Sequence, residues 1–441
     1  MMQLNILYIH THDTGRYVEP YGYQVPTPNL MELAREGTVF RHAYCAGPTC
    51  SPSRAGLLTG MAPHSCGMMG LAHRGFVLDD YKKHLAQFLK VRGYETVLCG
   101  MQHEAPKTDM LGYDHVLADY QGEEEVDDFV QKDLENARKV AKYLTEPKRK
   151  PFFVSFGMQS THRIFPDYNT NVDPNYVMPP LPLYDTQTNR EDMAAFITSA
   201  KVADECVGIV LDALKESGLE DDTIVFFTTD HGIAFPRMKC NLYDTGIGVA
   251  FIFKYPGNKR KGEAIDTLVS QIDVFPTLCE ILDMEKPNWL QGISFLPVLE
   301  KRKEKIRDEI YSEVTFHAAY EPMRCIRTER YKLIRYFDPY SRPVPANIDD
   351  GASKDFLISS GYLESTIPEE MLFDLYLDPV ERENKIGERE YQDIYDELSR
   401  KLQQWMEDTD DPLLQGKVKK PEGAIVNKID CMSAEEQDYE S

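Results

Sequence analysis

With 441 residues, 42% of them apolar and 27% charged, the chain has the composition of a soluble globular protein with one large or two unequal domains. A net charge of −23, from 49 basic against 72 acidic residues, argues against a nucleic-acid partner, though a few converging cations or a metal can still hold a small anion locally. No stretch reaches the apolar length of a bilayer span, so no membrane partner is expected.

The chain opens with "NILYI", a buried strand, with no basic segment and apolar leader before it. Nine cysteines without framework spacing fit a reducing compartment, so a cytoplasmic setting is expected. "TPNLMELAREG" predicts a helix from Pro28 stopped by Gly37, and "HLAQFLKVRG" a helix feeding the strand "YETVLCG". "PFFVSFGM" reads as a buried strand. A long helix from about Arg190 to Ser217 precedes the buried strand "DDTIVFFTTD", and "GVAFIFKYP" follows as another. Uniformly apolar strands alternating with helices predict an α/β fold, with a largely parallel sheet covered on both faces. Beyond residue 304, "RDEIYSEV", "MRCIRTERYKLIRYF" and "EEMLFDLYLDPVERENK" read as short strands, and "REYQDIYDELSRKLQQWMED" as an amphipathic helix. The expected division is therefore 1–304 and a smaller α+β region, 305–441. The acidic runs "GEEEVDDF" (122–129), "DIYDELSR" and "EEQDYES" are expected to be solvated faces and a tail.

Active sites of parallel sheets gather at the carboxyl ends of strands. Four such ends carry histidines or carboxylates: "HTHDTG" (10–15), "GMQHEAP" (100–106), "MQSTHR" (158–163) and "TTDHG" (228–232). His12, Asp13, Asp230 and His231 make a credible divalent-cation site, with two carboxylates for a hard ion and two imidazoles admitting Mn2+, Mg2+ or Zn2+ beside Ca2+. In "PTCSPSRAGLLTG" (48–60), Ser51 reads as an N-cap and Pro52 as the first helical residue, with the helix ending at Gly60. That places Cys50 at an electropositive helix terminus with Arg54 within reach, as a low-pKa nucleophilic thiol would be. Cys45, Cys66, Cys99, Cys206 and Cys279 read as buried structural cysteines.

"CSPSRAGLLTG" matches the pattern C-x-P-S-R-x-x-L-x-T-G of the sulfatases at every specified position, and the chain resembles that family over nearly its whole length. "MLFDLYLDPVERENK" is similar to a late segment of the same family. The resemblance implies an alkaline-phosphatase-like α/β sandwich with a smaller C-terminal subdomain. It also implies hydrolysis of a sulfate ester or N-sulfate, on a sugar, and conversion of Cys50 to formylglycine by a maturation enzyme. One divalent metal, calcium by likeness, would sit on His12, Asp13, Asp230 and His231. Arg54 would hold the formylglycine, His103 would assist proton removal and sulfate elimination, His162 would protonate the leaving group or contact sulfate, and Lys239 would bind sulfate oxygens.

Within the family the chain looks most like sulfamidases, N-sulfoglucosamine sulfohydrolases, through "THRIFP", "DHGIAFPRMKCNLYDTG" and "SEVTFHAAYEPMR". On that likeness Glu313, His317, Tyr320 and Arg324, with His73, would line the sugar pocket. Two departures stand out: His12-Asp13 replaces the usual Asp-Asp, and Met101 stands where a sulfate-binding lysine is usual. Lys107 or Arg163 are the candidates to make up that lost cation. Two other readings share the fold, a phosphonate monoester or phosphodiester hydrolase and a catalytically silent binding protein. Met101 and His12 favour the silent protein; intact Cys50, Pro52, Arg54, Asp230 and Lys239 oppose it.

Overall fold

Every strand expected from the sequence forms. The computed structural model describes residues 4–120, 129–167 and 171–440, so the acidic run 122–128 lies outside the described residues. The large sheet contains β1 (Asn5–Thr11), β2 (Thr38–Tyr44), β3 (Glu95–Gly100), β4 (His115–Ala118), β5 (Phe152–Gly157), β6 (Thr223–Thr229), β7 (Phe251–Lys254) and β8 (Glu263–Ser270). Their spatial order is β4-β3-β5-β1-β6-β7-β2-β8, and only β7 runs antiparallel to its neighbours. β1, β5 and β6 are buried at every residue, which is why they read as unbroken apolar runs.

Helices cover both faces. The helices Pro28–Glu36, Phe129–Thr145 and Gln187–Glu216 bury Leu30, Val140 and Val207 against Leu7, Ile9 and Phe227 of the sheet. On the other face, Leu57, Leu89 and Phe275 pack on Ile6, Tyr8 and Phe226. The second sheet is antiparallel, in the order β12-β11-β10-β9, from β9 (Glu309–Phe316), β10 (Tyr320–Thr328), β11 (Tyr331–Tyr336) and β12 (Glu370–Asp374). Val314, Met323, Ile334 and Phe373 from it join the core of the large sheet. The helix Gln392–Asp408 packs Leu398, Leu402 and Met406 on its other side. All nine cysteines are free and buried. Among the described residues no helix is long and apolar enough to cross a membrane.

Register explains why the four chemically biased strand ends meet. Gly100 of β3 pairs with Gly157 of β5, Gly157 with His10 of β1, and His10 with Thr228 of β6. These four strands are adjacent and parallel, so their carboxyl ends finish in one row. Backbones approach closely there: a Cβ on Gly100, whose φ is +86°, would sit 2.1 Å from the Gly157 carbonyl oxygen. A Cβ on Gly157 would lie 2.2 Å from the Met101 carbonyl oxygen. Gly157→Ala should therefore destabilise the protein by about 3 kcal/mol through overpacking. Chemical denaturation checks this, and an unchanged unfolding midpoint would contradict it.

Candidate active site

The site is built where those strand ends converge. Asp13 follows β1 in the left-handed region, at φ +54°, a conformation that Asp tolerates better than most residues. Its amide donates to Asp230 Oδ1 at 2.8 Å, which ties the turn after β1 to the turn after β6. His12 Nδ1 lies 2.7 Å from Asp13 Oδ1 and 3.1 Å from Asp230 Oδ2. His231 Nε2 faces the same carboxylates, at 3.3 Å from Asp13 and 3.7 Å from Asp230, yet makes no hydrogen bond although fully buried. Donor atoms of His12, Asp13, Asp230 and Cys50 all lie within 4.8 Å of one another.

The Cys50–Thr59 helix enters from the side and ends at Gly60 in the left-handed conformation, as expected. Its start differs: Thr49, not Ser51, holds the N-cap position, and Ser51 Oγ instead accepts from the Ala72 amide at 2.9 Å. Ser53 Oγ donates to the Asp230 carbonyl and to Gln271 Oε1, pinning the helix to the end of β6. Arg54 then reaches Asp230 Oδ2 at 3.0 Å and the Thr11 carbonyl at 3.1 Å, and its Nη1 contacts His10 Nδ1. Burial pushes the Cys50 thiol well above its ordinary range, outweighing the pull of Lys239 and Arg54. The expectation of a low-pKa thiolate is thus corrected: Cys50 occupies the right place with the wrong ionisation.

Lys239 Nζ sits 2.9 Å from Asp13 Oδ2 and 2.9 Å from Asp349 Oδ2, with His162 Nε2 at 3.5 Å. Burial opposes its charge, but Asp13 and Asp349 hold the ammonium well above its usual value. Asp349 escaped sequence reasoning because "NIDD" carries no motif. A cavity of about 550 Å3 opens over this group. Cys50, His103, His162, Lys239, His317 and Asp349 line its floor, and His73, Arg74, Met101 and Glu435 stand on its walls. Burial, with His12 and Arg54 close by, lowers His103 far below the usual imidazole range. His12 and His73 are lowered to about 4, chiefly by burial, and His317 well below its ordinary value for the same reason.

Four expected pocket residues are not on the cavity wall. Arg163 donates from both Nη atoms to Asp192 at 2.7 Å and packs over Phe165 and Phe235, so it is spent on the fold. Arg324 is fully buried on Asp411, at 2.6 Å and 3.0 Å. Glu313 accepts from the His64 amide at 2.8 Å and pairs with His64 Nδ1, and Tyr320 Oη accepts from the Val418 amide. Nor does either candidate supply the missing cation at Met101: Lys107 is exposed and off the cavity lining, and Arg163 is paired. The tail is a further correction. Its acidic run folds back, with Glu435 on the cavity wall.

The family model described as sulfatase matches residues 4–284, and one described as N-sulphoglucosamine sulphohydrolase, C-terminal, matches residues 231–342. The chain belongs to the sulfatase family. An ulvan-active sulfatase from Formosa agariphila is 27% identical over 96% of this chain and 77% of its own length. The N-sulphoglucosamine sulphohydrolase of Homo sapiens is 27% identical over 92% of this chain and 89% of its own. Among solved structures, that of a 2-O GAG sulfatase superposes with a TM-score of 0.74 over 99% of both chains at 24% identity, which shows the alkaline-phosphatase-like fold. This sulfatase is accordingly a sulfuric ester hydrolase.

Two measurements follow from these placements. Arg324→Ala leaves Asp411 and Glu313 uncompensated in the core, so unfolding free energy should drop by about 3–5 kcal/mol. A raised KM at unchanged stability would instead return Arg324 to the substrate. His73 binds no proton in the folded state until pH approaches 4, whereas the unfolded chain binds one from about pH 6.5 down. His73 therefore subtracts stability as pH falls below about 6.5. Its ring resonances should not titrate between about pH 5.5 and 8; a midpoint near 6.5 would show the imidazole is solvated.

Proposed function

We propose that this sulfatase removes sulfate from a sugar, with residue 50 as the attacking position after oxidation of its thiol to formylglycine. The observation carrying this reading is the placement of Cys50: at a helix start, beside Arg54 and Lys239, on the floor of the cavity. Converted by a maturation enzyme, the residue would supply a hydrated aldehyde, with one oxygen to attack sulfur and a second hydroxyl to expel sulfate. A buried thiol, held protonated, offers neither.

The donor set fits one divalent cation. Asp13, Asp230 and Asp349 carry three negative charges against the two positive charges of Arg54 and Lys239, so the group is net negative where a sulfate monoester anion must bind. His231 Nε2 is buried without a hydrogen-bond partner and faces both carboxylates. Bound by His12, Asp13, Asp230 and His231, a divalent ion would supply the net positive charge that draws in sulfate oxygens. Mixed oxygen and nitrogen donors suit Ca2+, Mg2+, Mn2+ or Zn2+.

The remaining roles follow from position and charge. Lys239, clasped by two carboxylates and 3.5 Å from His162 Nε2, lines the cavity as the ammonium that would donate to a sulfate oxygen. Neutral His103 has a ring nitrogen within 4.8 Å of Cys50 Sγ, so it can accept a proton from a hydroxyl at residue 50. His162, 3.5 Å from Lys239 Nζ on the cavity lining, would give a proton to the departing oxygen or nitrogen. A saccharide substrate is supported by relatives named for ulvan and N-sulfoglucosamine.

Protein matured in cells with a formylglycine-generating system should show an aldehyde at residue 50 by peptide mass spectrometry, and should cleave an N-sulfated or O-sulfated sugar in preference to a phosphonate monoester. An unmodified, active Cys50, or a preference for phosphorus, would overturn the reading. Lys239→Met should lower kcat/KM by about 100- to 1000-fold, as removal of one preorganised donor does. A change below about threefold would remove Lys239 from the mechanism.

A further inference from the structure

The C-terminal tail closes the cavity with a turn that is fastened on both sides. Arg74 Nη2 donates to the Ala434 carbonyl at 2.7 Å, and Arg74 Nη1 to Asn427 Oδ1 at 2.6 Å. On the other side Ser433 Oγ donates to Asp350, and Lys354 Nζ to the Met432 carbonyl at 2.7 Å. Arg74 follows His73 and Asp350 follows Asp349, so both anchors adjoin residues of the cavity lining. Neither family model extends to this turn, since their matches end at residues 284 and 342.

Two adjacent acids in the turn have opposite fates. Glu436 turns back and accepts from the amides of Met432 and Ser433, at 2.7 Å and 3.1 Å, so its carboxylate is spent on the turn. The backbone of Glu435 is fixed by its amide donating to Ser433 Oγ at 3.1 Å, while its side chain lies on the cavity wall. Among the described residues the Glu435 carboxylate makes no hydrogen bond and no ion pair. The other carboxylate on the lining, Asp349, is paired with Lys239. Glu435 is an exposed carboxylate without a hydrogen bond, held by an anchored turn in the field of Arg74, on the lining of a cavity that must admit an anion.

We propose that Glu435 is a specificity-determining residue: it accepts a hydrogen bond from a hydroxyl or ammonium group of the sugar, and it rejects a sugar carrying a second sulfate or a carboxylate beside the one removed. The proposal rests on the sulfated-sugar reading above. A sugar ring and two sulfates would share the same 550 Å3 with Glu435, so a second anion on that side of the ring meets a like charge. A singly sulfated ring can present hydroxyl or ammonium donors there instead. The selected substrate class is a small or terminal sugar bearing one sulfate, not a densely sulfated chain.

Binding tests this without turnover. The Cys50→Ala protein, with Glu435 intact or as Glu435→Gln, is titrated calorimetrically with glucosamine N-sulfate and with glucosamine carrying both N- and 6-O-sulfate. With Glu435 the singly sulfated sugar should bind more tightly, and Glu435→Gln should shrink that preference about fivefold or more. Added salt should shrink it only when Glu435 is present, because screening acts on the like charge and not on a shape effect. Glu435→Asp should retain the preference. A ratio unmoved by Glu435→Gln or equally salt-sensitive in both proteins overturns the proposal alone. Failure of both sugars to bind overturns the sulfated-sugar reading and this inference with it.

Discussion

The arrangement depends on one electrostatic constraint: two carboxylates, Asp13 and Asp230, are buried at adjacent strand ends and must stay ionised. Burial opposes this, yet Lys239 and His12 hold Asp13, and His231, His12 and Arg54 hold Asp230, below the usual carboxylate range. The partners come from the end of β1, the Cys50 helix and the loop after β6, so satisfying the pair fixes these segments in space. Arg54 fixes the Cys50 helix, Lys239 the loop after β6, and the Asp13 amide the crossing between β1 and β6. Residue 50 stands beside the charged group as a consequence. The position of that residue and the stability of the strand ends rest on the same set of interactions.

Much of this is legible in the sequence because its information is local. Each contributing strand is a short apolar run; His12 and Asp230 follow β1 and β6 at once, and His103 and His162 follow β3 and β5 within a few residues. A parallel sheet brings such ends together whenever the strands are neighbours, and the shared register of Gly100, Gly157, His10 and Thr228 does so here. Arg54 and Gly60 are equally local, set by helical spacing from Cys50. What local pattern does not contain is the partner of a charged side chain. Glu313 and Arg324 sit in a segment similar to one that lines a sugar pocket, but His64 and Asp411, far away in sequence, absorb their charges in the core. Arg163 is lost to Asp192 in the same way.

Asp349 and Glu435 were illegible for the complementary reason. Each belongs to a loop without periodicity or motif, brought to the cavity by contacts made hundreds of residues from the strand ends. The acidic C-terminal run reads as a solvated tail because charge alone gives no clue that Arg74 and Asp350 clamp it. Residue 50 and the two buried carboxylates are thus written in the strand ends and the Cys50 helix, and much of the remaining cavity lining in loops.

Metal content of the purified protein tests the central claim most directly, since the buried pair is explained as a cation site that Arg54 and Lys239, the latter shared with Asp349, leave net negative. One divalent ion per chain is the predicted result, lost on dialysis against chelator and absent from Asp13→Asn and Asp230→Asn proteins that remain folded. Protein that retains no stoichiometric metal, or variants that hold it as tightly as the parent, would contradict the account.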